Sequence, residues 1–235
     1  MDGGAARIPA MATALSIIVG GIITILTAIC VEALRRPVLN LVIEEPPFER
    51  PIIDGDGKEK KRRNLRLKLR NKPLPTIVRF MQRSAALQCR GEITFHNLDG
   101  QLFFRRTMPV RWVKSPEPIA NQILDRDGNV QFFIRDFARA ATESRIDVYP
   151  GEEELLDVAI RFDCEPDCYG WNNDSYLYNW RNPDWKLPSE RYLVKVVITS
   201  SGQKCVGKFR LINNVEGLAD FCLTNLLPED RTKPF

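Results

Sequence analysis

The chain has 235 residues, a formal net charge of +4, 44% hydrophobic and 27% charged residues, and Gly and Pro scattered without a period. That length allows one domain or two small ones, and the composition excludes a disordered, collagenous or solenoid chain. The single histidine, His96, excludes a His-rich metal site and leaves one imidazole for any catalytic triad.

Residues 8–31 carry no charge. At about 1.5 Å per residue a helix of that length reaches roughly 36 Å, against a hydrocarbon core of about 30 Å. Its Ile, Leu and Val lean toward strand in water, but in lipid the backbone must satisfy its own hydrogen bonds, so helix wins. The run is long for a signal peptide, no A-x-A site follows it, and bulky Ile29 before Cys30 argues against a lipoprotein site. The reading is one uncleaved transmembrane helix within residues 1–37. Arg7 is opposed by Asp2 on one side, whereas Arg35 and Arg36 follow the helix on the other. The positive-inside rule therefore favours a single-pass protein with a cytoplasmic C-terminal domain. Ala12, Ser16, Gly20, Thr24 and Ala28 recur every four residues, giving a face where two helices can approach and form a weak homodimer.

Pro37 ends the helix, and residues 38–43 (VLNLVI) read as a first strand. Residues 44–63 are rich in Pro, Gly and charge and read as a loop or linker with a turn at DGDG. Residues 64–71 (NLRLKLRN) alternate strictly, with Leu65, Leu67 and Leu69 on one face and Arg66, Lys68 and Arg70 on the other. That is a strand of an antiparallel sheet with one wet face. Further strands are expected at 86–97, at 101–113 with Pro109 at an edge or bulge, on both sides of Pro150-Gly151 within 146–163, at 191–200 and at 204–213. Turns fall at 97–100 and 201–202. Residues 130–142 fit helix and strand equally. Seven to eight short strands give an all-β, antiparallel sandwich over 38–225, followed by a tail at 226–235.

The opening strand PVLNLVI, the loop, NLRLKLRN and AALQCRGEITF resemble the start of immunoglobulin-like modules in prokaryotic surface and membrane proteins. The order of anchor, linker and sandwich resembles single-pass prokaryotic membrane proteins of uncharacterised function. The likeness covers residues 38–113 and 190–213 and brings no functional residue with it, because a sandwich implies no chemistry.

Residues 58–72 hold nine Lys or Arg and one Glu, a net of +8. Lys60, Lys61, Arg62 and Arg63 are candidates for anionic lipid headgroups. Few aromatics interleave with the run, which argues against nucleic acid. Residues 143–184 hold 11 Asp or Glu against three Lys or Arg, a net of −8 that can face the basic strand within the molecule or in a neighbour. Residues 163–188 contain six of the nine Trp and Tyr of the chain. Tyr169, Trp171, Asn173, Tyr176, Tyr178, Trp180 and Trp185 form the candidate ligand surface, and a surface role requires at least two of the three indoles to be exposed. The alternative is an ordered loop whose rings cap the sandwich.

Cys164 and Cys168 form a C-x3-C pair without a second pair, a weak zinc signal, and Cys89 and Cys205 lie mid-strand where an inter-sheet bridge is conceivable. Asn173-Asp174-Ser175 matches a glycosylation sequon. His96, beside a turn, reads as an exposed turn residue rather than a base. No nucleophile elbow, phosphate loop, HExxH or paired CxxC occurs, so no catalytic, metal or cofactor residue is assigned. The expected function is a membrane-anchored, non-catalytic binding or scaffolding module. The alternative is an accessory subunit of a membrane enzyme or transporter that contacts it through the transmembrane helix.

Overall fold

The computed structural model describes residues 7–53, 59–76, 81–128, 130–214 and 216–235. It is mostly β, with antiparallel sheets behind one N-terminal apolar helix. Helix α1 (Arg7–Arg35) holds the uncharged run. Its span Ser16–Arg35 has a mean hydropathy of 2.4, long and apolar enough to cross a bilayer, and is not buried against the rest of the chain.

After Pro37 come β1 (Leu39–Ile43), β2 (Phe48–Ile53) and β3 (Glu59–Asn71). Strand β2 pairs with β3 from Phe48 opposite Asn64 to Ile53 opposite Glu59. The stretch expected as a loop or linker is therefore largely strand, and the DGDG turn itself falls outside the described residues. Prolines suggested a loop, but an edge strand needs no inward N–H, so Pro51 is tolerated there.

The chain continues through β4 (Ala86–His96), β5 (Met108–Pro109), β6 (Arg111–Trp112), β7 (Ile119–Leu124), β8 (Val130–Arg135), α2 (Phe137–Ala141), β9 (Ile146–Val148) and β10 (Glu153–Phe162). It ends with β11 (Cys168–Gly170), β12 (Lys186–Leu187), β13 (Arg191–Ser200), β14 (Gln203–Ile212) and β15 (Cys222–Asn225). That makes fifteen strands among the described residues, against the seven to eight expected. Residues 130–142 resolve into both readings, a strand and then a short helix whose first turn Asp136 caps by accepting from the Arg139 N–H at 2.9 Å.

One sheet has the order β1-β3-β10-β11-β12, with β2 beside β3 and β6 beside β10. A second has the order β15-β14-β13-β4-β5, with β9 beside β4, and β7 pairs with β8 in a separate two-stranded sheet. Leu65, Leu67, Leu69 and Leu156 of the first sheet share one buried cluster with Ile93, Phe95, Val194, Val196, Ile198 and Leu211 of the second. The period-two pattern of β3 is thus the inner face of this core.

The segment expected to return as one strand after the 97–100 turn splits between the sheets. Met108 pairs with Ile93 in one sheet, whereas Trp112 pairs with Leu156 in the other. Val110 makes the crossing, its N–H donating to the Gly91 carbonyl at 2.9 Å. A Cβ on Gly91 would meet the Val110 side chain at 2.7 Å, so the close passage requires glycine there.

Asn71 ties the helix end to the sheets. Its Oδ1 accepts from the Val38 N–H at 3.3 Å, and its Nδ2 donates to the carbonyls of Ser84 at 3.0 Å and Val148 at 3.1 Å. The Ser84 N–H donates to the Arg35 carbonyl at 2.6 Å. The helix therefore enters the body without a flexible linker.

The 226–235 tail lies on the outer face of the second sheet. Arg210 on that face donates to Asp230 at 3.0 Å, and Lys208 stands over the Phe235 ring at 4.2 Å. His96 lies beneath Phe235, with ring centroids 5.3 Å apart, and is only 6% exposed. The expected exposed turn residue is thus buried, because the distant tail covers it. Its Nδ1–H donates to the Gly100 carbonyl at 3.0 Å and its Nε2 accepts from the Thr94 hydroxyl at 2.9 Å, so the neutral ring is satisfied at both nitrogens.

Burial holds the His96 pKa below its ordinary 6.5, with Lys195 and Lys208 acting the same way against the Gly100 carbonyl. The unfolded chain then takes up the proton first. The stability owed to neutral His96 is complete above pH 6.5 and declines as pH falls below it toward the folded value. Urea titrations between about pH 7 and pH 5 should show this decline. His96→Gln should flatten it, and an unchanged slope in that variant would contradict the assignment.

Candidate functional site

The aromatic segment straddles the first sheet. Cross-strand partners share a face, so Ile160 opposite Asn64 and Tyr169, and Phe162 opposite Arg62, point away from the main core. Residues 171–182 fold back over them. Ile160, Phe162, Tyr169 and Trp171 form a second buried cluster, with Tyr176 and Trp180 packed against it. Trp171 meets Tyr176 at 5.4 Å and Trp180 at 6.3 Å between centroids. Trp185 belongs instead to the main core, edge-on to Phe104 at 5.1 Å.

Trp171 is 3% and Trp185 2% exposed, and Trp180 is half-buried. The seven residues therefore do not form one exposed aromatic platform, and the condition of two exposed indoles is not met. Of the seven, Tyr178 alone is exposed, at 48%, and it adjoins the exposed Asn179. Asn179 and Trp180 both take positive φ, 50° and 69°, an uncommon backbone state for a bulky side chain that is held here by packing.

Arginines fix this flap. Arg62 lies 4.4 Å over Trp180 and Arg181 lies 3.8 Å over Phe162. Arg181 also donates to Glu165 at 2.6 Å. Arg111 stands 5.0 Å over Tyr176 and donates to the Asn173 side chain at 2.7 Å. Arg135 of β8 donates to the Leu177 carbonyl at 2.5 Å and to the Asn179 side chain. A guanidinium can stack on a ring and still donate from its edge, as Arg111 and Arg181 do, whereas Arg62 covers a ring and Arg135 holds the turn by hydrogen bonds.

Across the same outer face run Arg66, Asp157 and Arg111 in one row. Arg66 donates to Asp157 at 2.8 Å, and Asp157 is 3% exposed. Burial pushes the Asp157 carboxyl up, against the pull of Arg66, Arg111 and Arg62. Burial likewise lowers Arg62 and raises the Tyr176 phenol. With Arg70 and Glu153 at 2.6 Å, these pairs place part of the acidic segment against the basic strand within one molecule. The exposed pair contributes about 0–1 kcal/mol.

The basic candidates lie far from the helix. Lys60, Lys61, Arg62 and Arg63 sit at the opposite end of β3 from Asn71, roughly 26–36 Å along the strand at ~3.3 Å per residue. Arg63 is engaged by Glu49 and by the Ala219 and Phe221 carbonyls, and Arg62 by Trp180. On the helix, Ser16, Gly20, Thr24 and Ala28 are exposed, nothing lies within 4 Å of a Cβ built on Gly20, and the side chain of Ala12 falls outside the described residues. The Thr24 hydroxyl donates to the Gly20 carbonyl at 2.9 Å, inside its own helix.

All six cysteines are free. Cys164 is exposed while Cys168 is in the core with its thiol raised by burial, so the C-x3-C pair does not converge. Cys89 and Cys205 belong to one sheet with β13 between them. Two strand spacings, about 10 Å, exceed the reach of a disulfide, and no inter-sheet bridge forms. Among the described residues no group of three His, Cys, Asp or Glu gathers around a metal-sized site.

Arg111, Arg135 and Arg181 were absent from the candidates read in sequence. An isolated arginine carries no local periodicity, and only the excess of rings needing cover hints at it. No family model, no curated protein and no solved structure matches the chain.

Proposed function

We propose that the chain is a single-pass membrane protein whose body, held in the cytoplasm, binds or scaffolds a partner and does not catalyse. The Asn71 junction carries this reading: a helix able to cross a bilayer runs into the sheets through three residues, of which Arg36 and Val38 are hydrogen-bonded to the body. Such a mount displays a body in a set pose, which suits recognition at a membrane. The flap supports it, since Tyr178 and Asn179 are presented on a turn braced by Arg135 and Arg111.

The finer fold is read as immunoglobulin-like. The orders β1-β3-β10 and β14-β13-β4 correspond to strands A-B-E and G-F-C of that sandwich. Tyr192, second in β13, donates its hydroxyl to the Pro188 carbonyl at 3.1 Å, like the tyrosine corner at the start of strand F. Trp112 on β6 and the free thiols depart from the antibody pattern of a strand-C tryptophan over a B–F disulfide.

The accessory-subunit reading through the helix rests on its exposed small-residue face, Ser16, Gly20, Thr24 and Ala28. A photoreactive side chain at Tyr178 of the full chain in native membranes tests the body. A discrete protein adduct at Tyr178 and none at Lys61 is expected. Adducts from a helix position alone favour the accessory reading instead. Carbonate-extractable protein, or impermeant maleimide reaching Cys164 in intact cells, would overturn the anchor or the orientation respectively.

A further inference from the structure

Where the helix meets the body, the sheets end in a rim that exposes apolar side chains beside basic ones. Val38 is 42%, Leu87 45% and Tyr149 53% exposed. They come from three chain segments that meet here: Ala86 pairs with Val148, Asn71 binds the Ser84 and Val148 carbonyls, and Val38 binds Asn71. Arg35, Arg36 and Lys72 are exposed beside them, and Arg83 donates to the Arg36 carbonyl at 2.8 Å. The acidic neighbours are Glu32 on the helix, Glu152 in the following turn, and Asp147, which accepts from the Gln88 N–H at 2.7 Å.

The span of 20 residues ending at Arg35 covers about 30 Å, the whole hydrocarbon core. The headgroup layer adds roughly 5–8 Å on each side. Val38 follows Arg35 by three residues, so its strand end lies within about 10 Å of the helix end. Tyrosine, arginine and lysine beside aliphatic side chains are what that layer accommodates, because each has an apolar body and a polar tip.

We propose that Val38, Leu87 and Tyr149, with Arg35, Arg36 and Lys72, form a second membrane-contact surface that seats in the headgroup layer around the helix. This rests on the membrane-anchored reading above and adds a contact to it. Lys60 to Arg63 then lie outside this contact, at the other end of β3 and roughly 26–36 Å along the strand from Asn71 at ~3.3 Å per residue.

The test uses the full chain in phosphatidylcholine–phosphatidylserine vesicles, with a diazirine side chain placed in turn at Ile25, Leu87, Tyr149 and Lys61. Lipid adducts are expected at Ile25, Leu87 and Tyr149, several-fold above Lys61. Adducts at Ile25 with background labelling at both Leu87 and Tyr149 would overturn the rim contact alone. Background labelling at Ile25 would overturn the membrane reading itself. A protein adduct at Tyr149 in place of a lipid one would assign the rim to a second copy of this chain and also overturn the inference.

Discussion

Trp112→Ala is expected to destabilise the body by about 3–5 kcal/mol, the usual range for emptying a fully buried indole site. Trp112 is 0% exposed and stands opposite Leu156 on the inner face of the first sheet. Its indole N–H donates to the Ser144 carbonyl at 3.2 Å, which pins the chain before β9. The substitution therefore removes a large volume and also leaves a carbonyl without its donor. Urea unfolding of the full chain in detergent measures the effect. Trp180→Ala, at a half-buried site, serves as the comparison and should cost clearly less. A loss below about 1 kcal/mol for Trp112→Ala would mean that the site collapses freely and is not part of a tight core.

The second large effect is expected where the tail docks. Asp230 is 0% exposed and bonds Arg210 at 3.0 Å and Lys233 at 2.9 Å, while the Arg210 side chain is 6% exposed. Asp230→Ala leaves Arg210 buried beside Glu229 alone, 3.4 Å away, and should cost about 3–5 kcal/mol. Replacing both partners, Arg210→Met with Asp230→Leu, should recover most of that loss, because the buried Arg210 charge goes too and Lys233, at 25% exposed, keeps water in place of Asp230. A double variant as unstable as the single one would show that the pair itself, rather than its desolvation, holds the tail. Burial alone would push the Asp230 carboxyl up, but the Lys233 hydrogen bond and the Arg210 charge hold it below its ordinary 3.8. Its contribution is therefore present above pH 3.8 and is lost as pH falls from there toward the folded value.

The anchor and the regular strands were legible in sequence because their signals are local. An uncharged run has a length, and residues 64–71 alternate with a period that matches the pleat. β2 was hidden by its prolines, since an edge strand and a loop share that composition. The split at 108–112 was hidden because residues two apart join different sheets, which no local pattern encodes. The aromatic segment was legible as unusual but not as a surface. Trp171 and Trp185 are only fourteen residues apart in sequence, yet the first sheet lies between the clusters they join. Which side a ring takes depended on where the basic strand needed cover and on arginines drawn from β3, β6 and β8. His96 and Cys205 were misplaced for the same reason: each is set by a partner distant in the chain.

The passage of residues 108–112 from one sheet to the other has a consequence for how the body breathes. Two sheets held only by side-chain packing can separate as leaves, and the amides of each then exchange with solvent at their own free energy. Here Pro109 and Arg111 are two residues of one backbone, paired with β4 on one side and with β10 on the other. Parting the leaves must break strand pairing at both ends of that short crossing. Amides of β4 and of β10 should then exchange through one shared global opening rather than through two partial ones.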